Sequence, residues 1–125
     1  MKYISTPDAP APAGHYSQAV VKNGFVFVAG QLAIDPKTGE TISGSVGEQT
    51  VQCFRNTEAI LRSAGSSLAE VVSVTIYISD VSLWGEVNDE YARIFGDHRP
   101  ARAIVPTRDL HYGLKIEISV IAAVG

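Results

Sequence analysis

The sequence has 125 residues and a mass of 13.3 kDa, and its 46% hydrophobic and 18% charged residues exclude an intrinsically disordered chain. Its 13 acidic and 10 basic residues give a net charge of −3, which argues against a protein that coats nucleic acid, and its single cysteine excludes an internal disulfide. The length predicts one domain over residues 1–125. No apolar run suits a signal peptide or a membrane helix, so we expect a cytoplasmic protein without a membrane partner.

The first part of the chain predicts an extended lead-in followed by a β-hairpin. The prolines before residue 13 fix φ and lack an N–H donor, which disfavours a helix there. Residues 17–21 and 25–29 are short apolar segments joined by Asn23 and Gly24, which tolerate the positive φ of a tight hairpin turn. The composition of residues 35–39 then predicts a turn.

A helix and a strand are predicted next. Ser45 and Glu48 have the spacing of a capping box, which indicates a helix N-terminus. Apolar residues then recur at helical spacing, and Gly65 is a natural C-terminal cap. Residues 71–79 alternate in polarity and are rich in β-branched side chains, which predicts a strand.

The last part of the chain predicts a second helix and two more strands. Ser82 is predicted to cap this helix, which ends at Gly96. Residues 103–105 and 115–124 are predicted strands because they are rich in β-branched and other apolar residues. The order β-β-α-β-α-β-β indicates an α+β fold in which two helices pack on one face of a mixed sheet.

Both faces of the predicted strand at residues 71–79 contain apolar side chains. Alternation places Val72, Val74, Ile76 and Ile78 on one face of the strand and Val71 and Tyr77 on the other. A sheet that is apolar on both faces needs cover on both, and two helices cover only one. We therefore expect other subunits to cover the second face in an oligomer.

The sequence contains no recognisable metal or nucleophile motif. His15, His98 and His111 lie far apart and lack the short ligand spacings of metal sites, so no metal is expected. Cys53 falls on the apolar stripe of the first helix, which is typical of a small core residue. A G-x-S-x-G elbow and a glycine-rich phosphate loop are both absent.

Four polar residues are candidates for a binding site. Arg102 begins an apolar strand, where its guanidinium suits a two-point grip on a carboxylate. Glu117 alternates with polar neighbours in the last strand and belongs either to a solvent-facing row or to a site. Tyr16 either faces a cleft or packs, and Asn88 in the second helix is either functional or simply exposed.

Ordered blocks along the chain are similar to the motifs of one family. The blocks are G-H-Y-S-Q-A-V at 14–20, A-G-Q at 29–31, D-P-K-T-G at 35–39, P-A-R at 100–102 and I-E-I at 116–118. Together they resemble the YjgF/RidA family, also called the Rid or endoribonuclease L-PSP family. The similarity covers the chain from about residue 10 to residue 122.

The resemblance implies a fold, an assembly and a reaction. The fold is chorismate-mutase-like, and it assembles as a homotrimer with active sites in the clefts between subunits. Members like RidA hydrolyse reactive enamines and imines, such as 2-aminoacrylate and other small 2-imino acids, to 2-keto acids and ammonia. The resemblance implies no metal and no organic cofactor.

The resemblance also implies roles for individual residues. Arg102 would hold the substrate carboxylate, Glu117 would orient or deprotonate the attacking water, and Tyr16 would close the pocket across the interface. The backbone around Ile104, Gly30 and Gln31 would approach the imine nitrogen. The implied substrate-binding residues are Ala29, Gly30, Gln31, Asn88 and Ile104.

Several departures from the family pattern leave the substrate range open. His15 replaces a proline, Ala29 replaces a serine, Ile104 stands where many members have cysteine, and residues 111–113 replace an L-P-x-G-type loop. One alternative is therefore a deaminase of a 2-aminomuconate-like ring-cleavage product. Another is a non-catalytic, chaperone-like trimer that binds small carboxylates. The acidic balance argues against ribonuclease activity.

Overall fold

The computed structural model describes all 125 residues. Six β-strands form one mixed sheet, and two α-helices pack against one of its faces. The strands are β1 (Lys2–Ile4), β2 (Ala19–Lys22), β3 (Phe25–Gln31), β4 (Val71–Ile78), β5 (Ala101–Pro106) and β6 (Ile116–Ala123), and the helices are α1 (Val46–Ser63) and α2 (Trp84–Phe95). The predicted α+β class is confirmed. Neither helix combines the length and the apolar character that crossing a membrane requires.

The strand order is β1-β2-β3-β6-β4-β5, so β6 lies at the centre of the sheet. The β4–β5 pair is parallel, because α2 carries the chain back across the sheet, and every other neighbouring pair is antiparallel. The predicted hairpin joins β2 to β3 through Asn23 and Gly24, whose φ angles are 53° and 81°.

Two strands differ from the prediction. The strand β1 was not predicted, since it has only three residues and lies just before the proline-containing segment, and antiparallel pairing with β2 holds it in the sheet. The predicted strand at 103–105 is longer, because β5 pairs with β4 from Ala101 to Pro106. Pro106 is tolerated there because it ends an edge strand.

The helix caps are only partly as predicted. Ser45 Oγ accepts a hydrogen bond from Glu48 N at 3.2 Å, as the capping-box spacing indicates. Ser82 does not cap α2. Its backbone N donates to Asp80 Oδ1 at 2.8 Å in a short 3₁₀ turn that precedes the helix. These hydrogen bonds to Ser82 lower the pKa of Asp80.

A β-bulge changes which side chains of β4 enter the core. The register with β6 shifts between Val71 and Ser73, so Val71 is fully buried while Val72 is 45% exposed. The expectation that Val72 shares a face with Val74 is therefore wrong. The core between the sheet and the helices is built mainly from β4 and β6, with Val74, Ile76, Ile78, Ile116, Ile118 and Val120 all buried.

The sheet face that no helix covers is called the open face below. Its exposed large side chains are Tyr3, Phe25, Phe27 and Val105. Several large apolar side chains exposed on one sheet face are typical of an interaction face rather than of a free surface.

Candidate functional site

A cavity of about 470 Å³ lies at one end of the sheet. The N-terminal segment, the end of β3, a 3₁₀ turn at His111–Gly113 and one side chain of β6 surround it. Its lining residues include Pro10, Ala11, Ala13, Tyr16, Gln18, Ala29, Gly30, Gln31, Leu32, Ile34, His111, Tyr112 and Glu117. The structure therefore gathers five of the predicted site residues around one cavity, namely Tyr16, Ala29, Gly30, Gln31 and Glu117.

Gln18 holds the N-terminal segment against the sheet. Its side chain is 3% exposed; Oε1 accepts from Thr6 N at 2.7 Å, and Nε2 lies within hydrogen-bond distance of the carbonyl oxygens of Thr6, Ala9 and Pro10. Sequence reasoning did not single out this residue, because all of its partners are backbone groups.

We expect Gln18→Met to lower the free energy of unfolding by about 2–3 kcal/mol, because it leaves the buried N–H and carbonyl groups of residues 6–10 without their partner. Urea denaturation at one fixed protein concentration measures this difference. The control is Arg62→Met, which removes an exposed ion pair with Glu58 on α1 and should cost less than about 1 kcal/mol. Equal losses in the two variants would contradict the role given to Gln18.

Asn56 supports the opposite side of the cavity. It is buried in α1, and its Nδ2 donates to the carbonyl oxygens of Leu32 at 3.2 Å and Ile34 at 2.9 Å. These two bonds fix the segment after β3, whose apolar side chains line the cavity. The buried amide side chains of Gln18 and Asn56 thus hold two segments beside the cavity, one around residues 6–10 and one after β3.

Glu117 and Gly30 lie against each other inside the cavity. A β-bulge in β3, between Val28 and Gln31, brings the Gly30 backbone beneath the Glu117 carboxylate. A Cβ at Gly30 would overlap Glu117 Oε2 and lie 3.1 Å from Cδ. Only glycine at this position therefore allows the carboxylate to occupy its observed position. Gln31 is buried, and its Nε2 donates to Ala29 O at 3.2 Å, which stabilises the bulge.

Tyr16 lies at the mouth of the same cavity. Its side chain is half exposed, and its hydroxyl oxygen accepts a hydrogen bond from Ala13 N at 3.2 Å. A second turn bond, from Tyr16 N to Gly14 O at 3.0 Å, closes the loop. The hydroxyl proton remains available to donate to a molecule in the cavity.

Arg102 lies in a separate cleft between β5 and α2. Its Nη1 donates to Asn88 Oδ1 at 2.9 Å, and its guanidinium carbon lies 4.7 Å from the ring centroid of Tyr91 and 5.7 Å from that of Trp84. Ile104 follows on the same strand face. Asn88, which is predicted to bind substrate, contacts Arg102 and holds its guanidinium in place.

Tyr91 forms the floor beneath Arg102. Phe54 of α1 packs edge-on against its ring with centroids 5.9 Å apart, and Phe95 of α2 packs against it at a tilted angle with centroids 4.6 Å apart. Burial raises the pKa of Tyr91, while the positive charge of Arg102 acts in the opposite direction. The phenol therefore remains neutral beside the guanidinium, and the aromatic face stabilises the cation.

Arg102 and Glu117 lie on opposite faces of the sheet. Arg102 is in register with Val74, whose side chain faces the helices, and Glu117 is in register with Tyr77, which lies on the open face. Neither takes part in an ion pair of the chain. One copy of the chain therefore does not bring the predicted carboxylate-binding group and the predicted base together.

Cys53 lies outside these two sites. His98 and His111 line them but have no partners with which to bind a metal ion. Cys53 is fully buried in the core, as expected, and burial raises the pKa of its thiol. His98 contacts the Val71 carbonyl oxygen through Nε2 at 2.7 Å. No three His, Cys, Asp or Glu side chains meet in an arrangement that could hold a metal ion.

Comparison with known proteins finds similarity over nearly the whole chain. The family model described as endoribonuclease L-PSP matches residues 6–124. A RutC family protein of Pyrococcus horikoshii is 45% identical over 119 residues, which are 95% of this chain and 94% of that protein. A 2-iminobutanoate/2-iminopropanoate deaminase of Rattus norvegicus is 40% identical over 124 residues, 99% of this chain and 90% of that protein. The crystal structure of RidA from the Antarctic bacterium Psychrobacter sp. has a TM-score of 0.95 at 36% identity, covering 99% of this chain and 100% of that one.

Proposed function

The chain belongs to the endoribonuclease L-PSP family, the YjgF/RidA family that its motifs resemble, and from this premise we propose that it hydrolyses 2-imino and enamine carboxylic acids to 2-keto acids and ammonia. The relative named 2-iminobutanoate/2-iminopropanoate deaminase supports this class of reaction. The substrate would be a small molecule with a carboxylate beside a C=N bond or its enamine form.

One structural observation supports the proposal above all. A guanidinium and a carboxylate, each without a counter-ion, lie on opposite faces of one sheet, and each is surrounded by residues that hold it in place. An unpaired cation suits a substrate carboxylate, and an unpaired carboxylate suits a water molecule or an iminium nitrogen. Together they match the two ends of an imino acid.

The site would form between copies of the chain in a homotrimer. The apolar side chains of the open face need cover, and a neighbouring copy provides it in a closed cyclic assembly. In that arrangement Arg102 of one copy meets Glu117 and Tyr16 of the next. The Ile104 backbone of the first copy and the Gly30 backbone of the second would line the space between them.

The proposed reaction needs positioning and proton transfer but no cofactor. Arg102 holds the carboxylate through two parallel hydrogen bonds, which places the imine carbon beside Glu117. Glu117 takes a proton from water as the oxygen bonds to the imine carbon and the C=N π electrons move to nitrogen. That proton then passes to the nitrogen, which gives a carbinolamine. Glu117 next takes the hydroxyl proton and passes it to the amino nitrogen, so that the C–N bond breaks, ammonia leaves and the carbonyl forms. An enamine reaches this imine by taking up a proton at its terminal carbon and losing one from its nitrogen.

Trapping of a freshly made imine tests the proposal. D-amino-acid oxidase, with catalase present, converts D-alanine to 2-iminopropanoate, which semicarbazide captures as a chromophore unless it is hydrolysed first. The protein should lower the captured amount in proportion to its concentration. If capture is unchanged for imines of several amino acids while 2-keto acids still bind, the small-carboxylate-binding alternative replaces the deaminase.

We expect Gly30→Ala to lower kcat/KM at least tenfold, because the added Cβ displaces the Glu117 carboxylate and a shift of about 1 Å can cost about 100-fold in rate. The matched control is Gly85→Ala, where nothing lies within 4 Å of the added Cβ. The imine-capture assay measures both variants, and circular dichroism checks that they are folded. Full activity in Gly30→Ala would show that the position of Glu117 is not critical.

A further inference from the structure

Tyr112 forms an aromatic side of the cavity that contains Glu117. It lies in the 3₁₀ turn at His111–Gly113, its side chain is 64% exposed, and it lines the cavity together with the half-exposed ring of Tyr16. The ring of His111 lies 6.0 Å from that of Tyr112. Three aromatic rings thus meet at one cavity without being packed into the core.

The backbone at Tyr112 makes this exposed ring unexpected. Its φ and ψ are 62° and 20°, a left-handed conformation that side chains with a β-carbon rarely adopt and that glycine or asparagine normally supplies. Packing within the chain does not explain a tyrosine there, because the ring is largely exposed. A strained residue without a packing role indicates a functional contact at the position where its ring points.

The composition of the cavity indicates what kind of group makes that contact. Glu117 and the Gly30 backbone form its polar end. Gln18 and Gln31 also line it, with amides bonded to backbone groups, and the remaining lining is mostly apolar or aromatic and includes Pro10, Ala11, Ala13, Leu32 and Ile34. A volume near 470 Å³ falls within the range of about 300–1,000 Å³ typical of pockets for ligands larger than a three-carbon acid.

We propose that Tyr112, with Tyr16, makes this chain selective for 2-imino acids that have a large apolar side chain, aromatic ones above all. This inference rests on the proposed hydrolysis of imino acids. The imine end of the substrate lies at Glu117, and its side chain extends along the apolar lining toward the two phenol rings. Stacking against exposed rings favours a planar aromatic group over a methyl group.

The test compares two imines in the same capture assay. D-amino-acid oxidase makes one from D-phenylalanine and one from D-alanine, and the imine carbon is planar, so the configuration of the amino acid is irrelevant. Wild-type protein should prefer the phenylalanine-derived imine by at least tenfold in kcat/KM. Tyr112→Gly should lower this preference about tenfold, which is within the roughly 10–200-fold discrimination that apolar pocket contacts provide. Tyr112→Phe keeps the ring and should keep the preference.

Each outcome of this test has a separate meaning. Glycine adopts the backbone conformation of residue 112 without strain, so Tyr112→Gly should fold normally, and a thermal melt checks this. An unchanged preference in folded Tyr112→Gly, or no preference in the wild type, would overturn the inference while leaving the hydrolase intact. Absence of hydrolysis of either imine by the wild type would instead overturn the proposed function.

Discussion

The Arg102→Ala variant should lose about 10²–10³-fold in kcat/KM for imino acid hydrolysis while keeping its fold and its assembly. The guanidinium is half-buried and makes one side-chain hydrogen bond, to Asn88, so the protein loses little when it is removed. The substrate would lose the proposed partner of its carboxylate and with it the orientation of its imine carbon. The imine-capture assay measures the loss, and light scattering after size exclusion checks the assembly.

Two further variants separate the geometry of Arg102 from its charge. Arg102→Lys keeps the charge but not the planar fork, so it should recover only part of the activity. Arg99→Ala removes an exposed cation from the same cleft and should retain activity within about twofold, since exposed single charges contribute little. If Arg102→Ala and Arg99→Ala lose activity equally, the cleft attracts anions by its general charge and Arg102 has no special role.

Local signals in the sequence predicted most of the fold. Asn23 and Gly24 predict the hairpin because few other pairs accept two positive φ angles, and Ser45 predicts the start of α1 because its side chain satisfies a free N–H. The alternation of apolar and polar residues predicts which side chains of the central strands are buried, because successive side chains of a strand point to opposite faces. Each of these features depends on residues within a few positions of one another.

The errors arose where distant contacts decide the structure. The strand β1 exists because β2 offers it a free edge, and the bulge that buries Val71 rather than Val72 arises from pairing with β6, some fifty residues away in the chain. Alternation alone continues through a bulge and assigns the wrong face. The error at Ser82 is local instead: the Asp80 carboxylate caps the 3₁₀ turn that precedes α2, and no side chain caps α2 itself.

The candidate site was predictable as a set of residues but not as a geometry. The motifs singled out Arg102 and Glu117, yet only the strand register reveals that they face opposite sides of the sheet. The importance of Gln18 was also hidden, because its partners are backbone groups, whose positions no residue pattern specifies. The division of the site between two faces has a direct experimental consequence.

Co-expression of Arg102→Ala with Glu117→Gln should restore about a quarter of wild-type activity, although each variant alone is nearly inactive. A complete site needs Arg102 from a Glu117→Gln copy and Glu117 from an Arg102→Ala copy. Random assembly of equal amounts satisfies both conditions at about one interface in four. The imine-capture assay on the purified mixture measures the recovered fraction.

A second mixture distinguishes a site between copies from a site within one chain. Wild type co-expressed with the Arg102→Ala/Glu117→Gln double variant should retain about a quarter of full activity if each site takes one residue from each of two copies, and about a half if each chain contains a whole site. Mixing the two single variants after each has assembled should give no recovery while the subunits do not exchange. No recovery on co-expression, together with half activity beside the double variant, would place Arg102 and Glu117 in one chain and contradict the opposite-face arrangement.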